Sequence, residues 1–284
     1  MKVYSLQVDG YTLSARSVGT EEPQAPRIVA IHGMMESSTV WLPVVEALLH
    51  RYQFTLIDLP WNGTQGGQWG RVRSPDAWLD MAITAFDVQP DAFVGHSFGA
   101  SVLLAFLANS RHACAQGAPA VVVSPFYKAD PGEFSWTLLR RYVAEFPMFV
   151  QESITQRSGG RSIASDSLQR MVETACDTFG VDNWMEFWRL FSRTPSLDLQ
   201  ALTKPTLVIS GADDFSSPQA DQFALHDAVP QCTLELLPAA RHFLLDSHRE
   251  TVSRLITQFL ATHLTDASAS RFMDRPDEYT RVVH

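Results

Sequence analysis

Short apolar runs of strand length recur along the chain. They are Tyr11 to Val18 after an Asp9-Gly10 turn, Arg27 to Ile31, Phe54 to Ile57, Ala92 to Val94, Ala120 to Val123, Thr206 to Ile209 and Thr233 to Leu237. Several are continuous instead of alternating, the pattern of strands covered on both faces. The segments between them carry helical spacing and helix-start signals: Ser74-Pro75-Asp76, Ser217-Pro218, and a capping box from Ser247 to Glu250. Strand alternating with helix predicts an α/β protein, a mostly parallel sheet wrapped by helices on both sides.

One segment breaks the alternation. Between Phe126 and Lys204 the chain shows two apolar stripes at helical spacing, Leu139, Tyr142, Val143 and Phe146, then Trp184, Phe187, Trp188 and Phe191. These 79 residues hold 12 of the 30 aromatic side chains, so some of them are expected to face a cleft as well as each other. The charge balance also changes, with 9 basic and 10 acidic residues here against 13 and 21 elsewhere. The expected organisation is a core domain formed by residues 1–125 and 205–264, a helical cap or lid over 126–204, and a C-terminal tail, 265–284, that is polar and aperiodic. Gly159-Gly160 interrupts the helical pattern and is read as a connection about which the lid moves.

Composition narrows the class. At 284 residues, 45% apolar and 19% charged, the chain can bury one large core. A net charge of −9 argues against nucleic-acid binding, which needs clustered Lys and Arg. Cys114, Cys176 and Cys232 match no metal spacing and cannot pair evenly, so buried thiols are expected. No apolar stretch approaches eighteen residues and the N-terminus lacks a continuous apolar segment, so the expectation is a cytoplasmic protein with no membrane partner, a monomer or weak homodimer.

The candidate chemistry starts at "AFVGHSFGAS", Ala92 to Ser101. A strand ending at Val94 must turn sharply into a helix, and Gly95 and Gly99 remove side chains where the two would collide. Ser97 is then left at the tip of a tight turn. A serine hydroxyl is a poor nucleophile without a base, so the reading requires a histidine and an orienting acid. His242 follows the last strand through the loop "PAARHF", with His248 the other candidate. Asp214 follows Thr206 to Ile209 in "SGADDFSSP"; Asp213 is its near alternative and Asp130 a more distant one. Attack on a carbonyl also needs two backbone N–H donors. The amide of Phe98 is one, and Met34 in "HGMMESS" supplies the other by position. Met35, Trp61, Phe126, Trp184 and Trp188 are expected in the substrate pocket wall, and no metal or organic cofactor is expected.

His32-Gly33, Gly95-His96-Ser97-Phe98-Gly99, Gly211 to Asp214 and His242, in this order and spacing, resemble the α/β-hydrolase superfamily over roughly residues 3–264. The resemblance implies an eight-stranded sheet with a helical cap after the sixth sheet strand. It implies Ser97, Asp214 and His242 as the catalytic triad and the Met34 and Phe98 amides as the oxyanion hole. One departure is visible: relatives carry Asp-x-Pro-Gly-His-Gly where this chain has Asp58-Leu59-Pro60-Trp61-Asn62-Gly63. The expected activity is hydrolysis of an ester or thioester of a small, largely apolar or aromatic acyl substrate. In relatives the same triad also serves carbon–carbon bond hydrolysis, cofactor-free perhydrolysis and acyl transfer, and a capped hydrolase fold can act as a ligand-binding receptor.

Overall fold

The computed structural model describes residues 2–109, 112–159 and 161–264. Its strands are β1 (Lys2–Val8), β2 (Tyr11–Gly19), β3 (Arg27–Ile31), β4 (Gln53–Asp58), β5 (Ala92–His96), β6 (Ala120–Val123), β7 (Thr206–Gly211) and β8 (Cys232–Leu237). They form one eight-stranded sheet in the order β1-β2-β4-β3-β5-β6-β7-β8. β2 pairs antiparallel with both β1 and β4, and the other pairs are parallel. The helices are α1 (Leu42–Val45), α2 (Pro75–Ala85), α3 (Phe98–Asn109), α4 (Ala113–Gly117), α5 (Trp136–Arg157), α6 (Ser165–Arg193), α7 (Gln219–Ala228), α8 (Leu244–Ser247) and α9 (Arg249–His263).

The continuous apolar strands serve two cores at once. Val29, Ile31, Phe93 and Val122 point to the face covered by α2 and α3. Their neighbours Ile28, Ala30, Val94 and Val121 point to the face covered by α1 and α9. Period-two geometry sends successive side chains to opposite faces, and here both faces are dry. α3 is buried along its first ten residues, which ties the segment after Ser97 into the core.

Two helix starts differ from expectation. α7 begins at Gln219, with the Ser217 hydroxyl donating to the Pro125 carbonyl at 2.5 Å instead of capping. The Ser247 to Glu250 box does not form: Ser247 closes α8, its hydroxyl bonds the Phe243 carbonyl, and α9 starts at Arg249 without a side-chain cap. Of the thiols, Cys114 is buried while Cys176 and Cys232 are half-buried, because helix α6 and edge strand β8 leave one side open; none of the three forms a disulfide.

Between β6 and β7 the chain leaves the sheet for α5 and α6, which pack on each other. α5 ends at Arg157 and Gly159 follows at φ 64°; Gly160 lies outside the described residues, as does the tail 265–284. α6 bends at Gly180, whose φ of 65° breaks the helical run. Polar contacts fasten the pair to the core. Trp69 Nε1 donates to Asn183 Oδ1 at 3.0 Å, and the Arg71 guanidinium meets Asp182 at 2.9 Å. At the base, Lys128 Nζ reaches Asp221 at 2.9 Å and Glu133 at 2.6 Å. Among the described residues no helix is long and apolar enough to cross a membrane.

Candidate active site

Ser97 sits between β5 and α3 with φ 55°, the left-handed region a non-glycine residue occupies only at a cost of order 1–3 kcal/mol. The surroundings enforce it. A Cβ on Gly95 would lie 2.9 Å from the Ala100 Cα, and one on Gly99 would lie 2.2 Å from the His32 carbonyl oxygen. The turn therefore has room for glycine at both places, and Ser97 is pushed above the carboxyl ends of the strands.

His242 arrives from the loop after β8. Its Nε2 is 2.8 Å from Ser97 Oγ, and its Nδ1 is 2.7 Å from Asp214 Oδ2. The carboxylate only accepts, so Nδ1 carries the proton and Nε2 is left to accept from the serine hydroxyl. Ser124, itself at φ 50°, donates its hydroxyl to the His242 carbonyl at 2.8 Å and fixes the loop. Phe126, Phe149 and Phe243 surround the imidazole at centroid distances of 5.1, 4.8 and 5.2 Å. His248, by contrast, is half-buried and bonds Ser247.

Asp214 is buried, and burial pushes its carboxyl up. The facing His242 and the donors of Ser216 outweigh that and hold it below the usual carboxylate range. Its Oδ1 accepts from Ser216 N at 2.9 Å, Ser216 Oγ at 2.6 Å and Ser217 N at 3.1 Å. Asp213 faces away, and its N–H donates to the Ala240 carbonyl. Asp130 caps a short turn through the Gly132 N–H at 2.7 Å. The three side chains Ser97, His242 and Asp214 thus form one hydrogen-bonded line.

The loop after β3 lies beside Ser97. The Gly33 N–H donates to Glu36 Oε2 at 2.8 Å, and the Met35 N–H donates to the Trp61 carbonyl at 2.8 Å, so Met34 lies between two pinned amides. His32 braces the loop from below. Its Nε2 accepts the Leu59 N–H at 3.0 Å, which leaves Nδ1–H to donate to the Gly33 carbonyl at 2.7 Å. Burial lowers its pKa and keeps it neutral in that role.

A cleft opens over Ser97. Met34, Ser97, Phe98, Phe126 and Ser216 form its floor, and Phe146, Phe149, Phe179, Trp184 and Phe187 of α5 and α6 its roof. Glu145 is the charged side chain in the wall. Phe126 and Trp184 line this cleft, and three other residues named from sequence do not. Trp61 is buried under Phe98 and Trp69, each 5.4 Å away, and its Nε1 donates to the His32 carbonyl. Met35, at φ 60°, turns its thioether onto Gly63. Trp188, one turn along α6 from Trp184, packs between Phe134 and Phe191 at 5.7 and 6.0 Å and is not in the cleft wall. Among the described residues no group of three or more His, Cys, Asp or Glu side chains is arranged to hold a metal ion.

The model of the alpha/beta hydrolase family matches residues 28–255, spanning every parallel strand and all three residues of the line. The chain belongs to the alpha/beta hydrolase family. Among curated relatives, this hydrolase-family chain is 23% identical over 262 residues to RutD of Agrobacterium fabrum, a protein named for carbamate hydrolysis, covering 85% of this chain and 95% of that one. Among solved structures it resembles a membrane phospholipase A with a TM-score of 0.69 at 18% identity, over 93% of this chain and 87% of that one. It also resembles the enol-lactonase of Burkholderia xenovorans with a TM-score of 0.62 at 18% identity, over 91% and 100%. These likenesses share the fold.

Sequence reasoning missed several residues that touch the site. Tyr142 donates to the Ser216 carbonyl at 2.7 Å, and the buried Glu36 joins buried His96 to the more exposed Arg157 beside the loop after β3. Each pairing joins residues at least sixty positions apart, and no local pattern announces it.

Proposed function

We propose that this chain is a serine hydrolase acting on an ester or thioester of a small apolar or aromatic acyl compound, with α5 and α6 as a cap over the site. The observation that carries the reading is the unbroken line from Ser97 Oγ through His242 to Asp214, ending in an aromatic cleft. Ser97 Oγ attacks the carbonyl carbon while His242 Nε2 takes its proton, and Asp214 holds the resulting imidazolium in place. The Met34 and Phe98 amides receive the negative charge on the carbonyl oxygen. Collapse expels the leaving group, protonated by His242, and leaves an acyl-serine. Water activated by the same imidazole then releases the acid.

The cleft supports the acyl class. Rings dominate its wall, and burying an apolar group there gains roughly 25 cal/mol per Å². Glu145 adds negative charge at the wall, which favours neutral or cationic substrates over anionic ones. Carbamates and lactones, the substrates named for two of the relatives, present the same electrophilic carbonyl to a serine. The testing experiment is a chain-length series of p-nitrophenyl esters with matching acyl thioesters, assayed against Ser97→Ala. Turnover that depends on Ser97 and rises with acyl size supports the reading; equal turnover of short and long chains removes the apolar cleft from it.

A further inference from the structure

The acyl chemistry above leaves one buried carboxylate without a role. Glu36 is 5% exposed and gathers three segments of the chain. Its Oε2 accepts the Gly33 N–H and faces His96 Nδ1, both at 2.8 Å, while Oε1 accepts from Arg157 Nη2 at 2.5 Å. Gly33 precedes Met34, and His96 precedes Ser97. Arg157 ends α5, the helix whose Phe146 and Phe149 roof the cleft.

There is no slack between these groups. A Cβ on Gly33 would stand 2.7 Å from Glu36 Oε2 and 3.1 Å from the Ser97 Cβ, so carboxylate, loop and nucleophile are in mutual contact. Burial pushes the Glu36 carboxyl up, but the facing His96, then Arg157 and the Gly33 N–H, bring it down to about 2. It is an anion under all ordinary conditions, and a buried anion is costly once a partner leaves. One of those partners, Arg157, belongs to the inserted helix. Its Nε also lies 3.7 Å from Asp246 Oδ2 on α8, the helix that follows His242.

We infer that Glu36 is a positioning residue that aims the Met34 amide at the developing oxyanion, and that the Arg157 pair couples seating of α5 to that aim. The inference rests on the acyl reading of Ser97. With α5 seated, Arg157 holds Glu36, and Glu36 holds the Gly33 N–H beside the Ser97 turn. When the helix lifts to admit substrate, the carboxylate exchanges this cation for water and the loop relaxes. The oxyanion site is then complete only under a closed cap, when water is excluded.

The test uses full-length Arg157→Met, Arg157→Lys and Glu36→Gln proteins, with p-nitrophenyl butyrate kinetics and amide hydrogen exchange on peptides covering residues 31–37 and 94–101. Arg157→Met is expected to lower kcat about 10- to 100-fold with KM within about twofold, because the lost interaction acts on the transition state alone. Arg157→Lys is expected to recover most of that loss. Exchange at residues 33–36 is expected to quicken about fivefold or more in Arg157→Met and Glu36→Gln, with β7 and β8 unchanged. Unchanged exchange at 33–36, or a rise in KM with kcat intact, would overturn the inference while Ser97-dependent turnover of the wild type keeps the acyl reading. A wild type without Ser97-dependent turnover sinks the acyl reading instead, and the exchange measurement alone then decides the coupling of α5 to the loop.

Discussion

Tyr142 of α5 donates its hydroxyl to the carbonyl of Ser216 at 2.7 Å, and Ser216 in turn holds the carboxylate that faces His242. The inserted helix therefore reaches the Asp214 side of the site here and the loop after β3 through Arg157. Removing the hydroxyl in Tyr142→Phe leaves a buried carbonyl without this donor. The expected cost is about 1 kcal/mol of stability in urea unfolding, with kcat lowered less than about tenfold because Asp214 keeps all its own donors.

Gly99→Ala tests the turn that presents Ser97. The new methyl would meet the His32 carbonyl oxygen at 2.2 Å, and backbone on both sides leaves it nowhere to go. The expected loss is roughly 1–3 kcal/mol or more by chemical denaturation, accompanied by a larger fall in kcat than in stability.

The inner strands of the parallel sheet were legible because they are dry on both faces, which leaves an unbroken apolar run such as Ala120 to Val123. β1 was not, since Lys2–Val8 lies at the sheet edge with exposed side chains and holds on by pairing with β2. Ser97, His242 and Asp214 could be placed by sequence because each follows a strand end closely. Which aromatic faces the cleft could not. Trp184 and Trp188 are one helical turn apart, and only the packing of α6 decides that the first lines the cleft while the second is internal. Trp61 lies outside the cleft wall for a related reason: it is buried against Phe98 of α3 as well as the nearby Trp69.

Glu152 gives a pH prediction. It is buried on α5, neither oxygen makes a hydrogen bond of ordinary geometry, and Arg241 stands 3.5 Å away. Burial, opposed by His242 and Arg241, raises its carboxyl above the ordinary 4.5. The folded chain thus holds this proton more tightly than the unfolded chain. Its favourable contribution is full below 4.5 and is lost as pH rises through the raised value. Glu152→Gln is therefore expected to melt higher than wild type at pH 8, with the difference shrinking as pH falls toward 4 in a thermal-shift series.

Glu145 lines the cleft, with Arg141 3.7 Å away in an i,i+4 pair on α5, and a charge preference is predicted from it. Between two p-nitrophenyl esters of equal size, one ending in a carboxylate and one in an amide, the wild type is expected to favour the amide about fivefold in kcat/KM. Glu145→Gln is expected to narrow that ratio toward one without lowering turnover of the neutral ester. Added salt should narrow it too, because the group is partly exposed.

The central claim is that Ser97 is an activated nucleophile, made so by an imidazole 2.8 Å away. The most direct measurement is covalent labelling with a fluorophosphonate probe, read by intact mass and peptide mapping. The account predicts one adduct per chain on Ser97, its formation slowed at least about a thousandfold in His242→Ala, and no adduct in Ser97→Ala. A wild type that stays unlabelled at every pH from about 6 to 9, or a label that persists in Ser97→Ala, would contradict it.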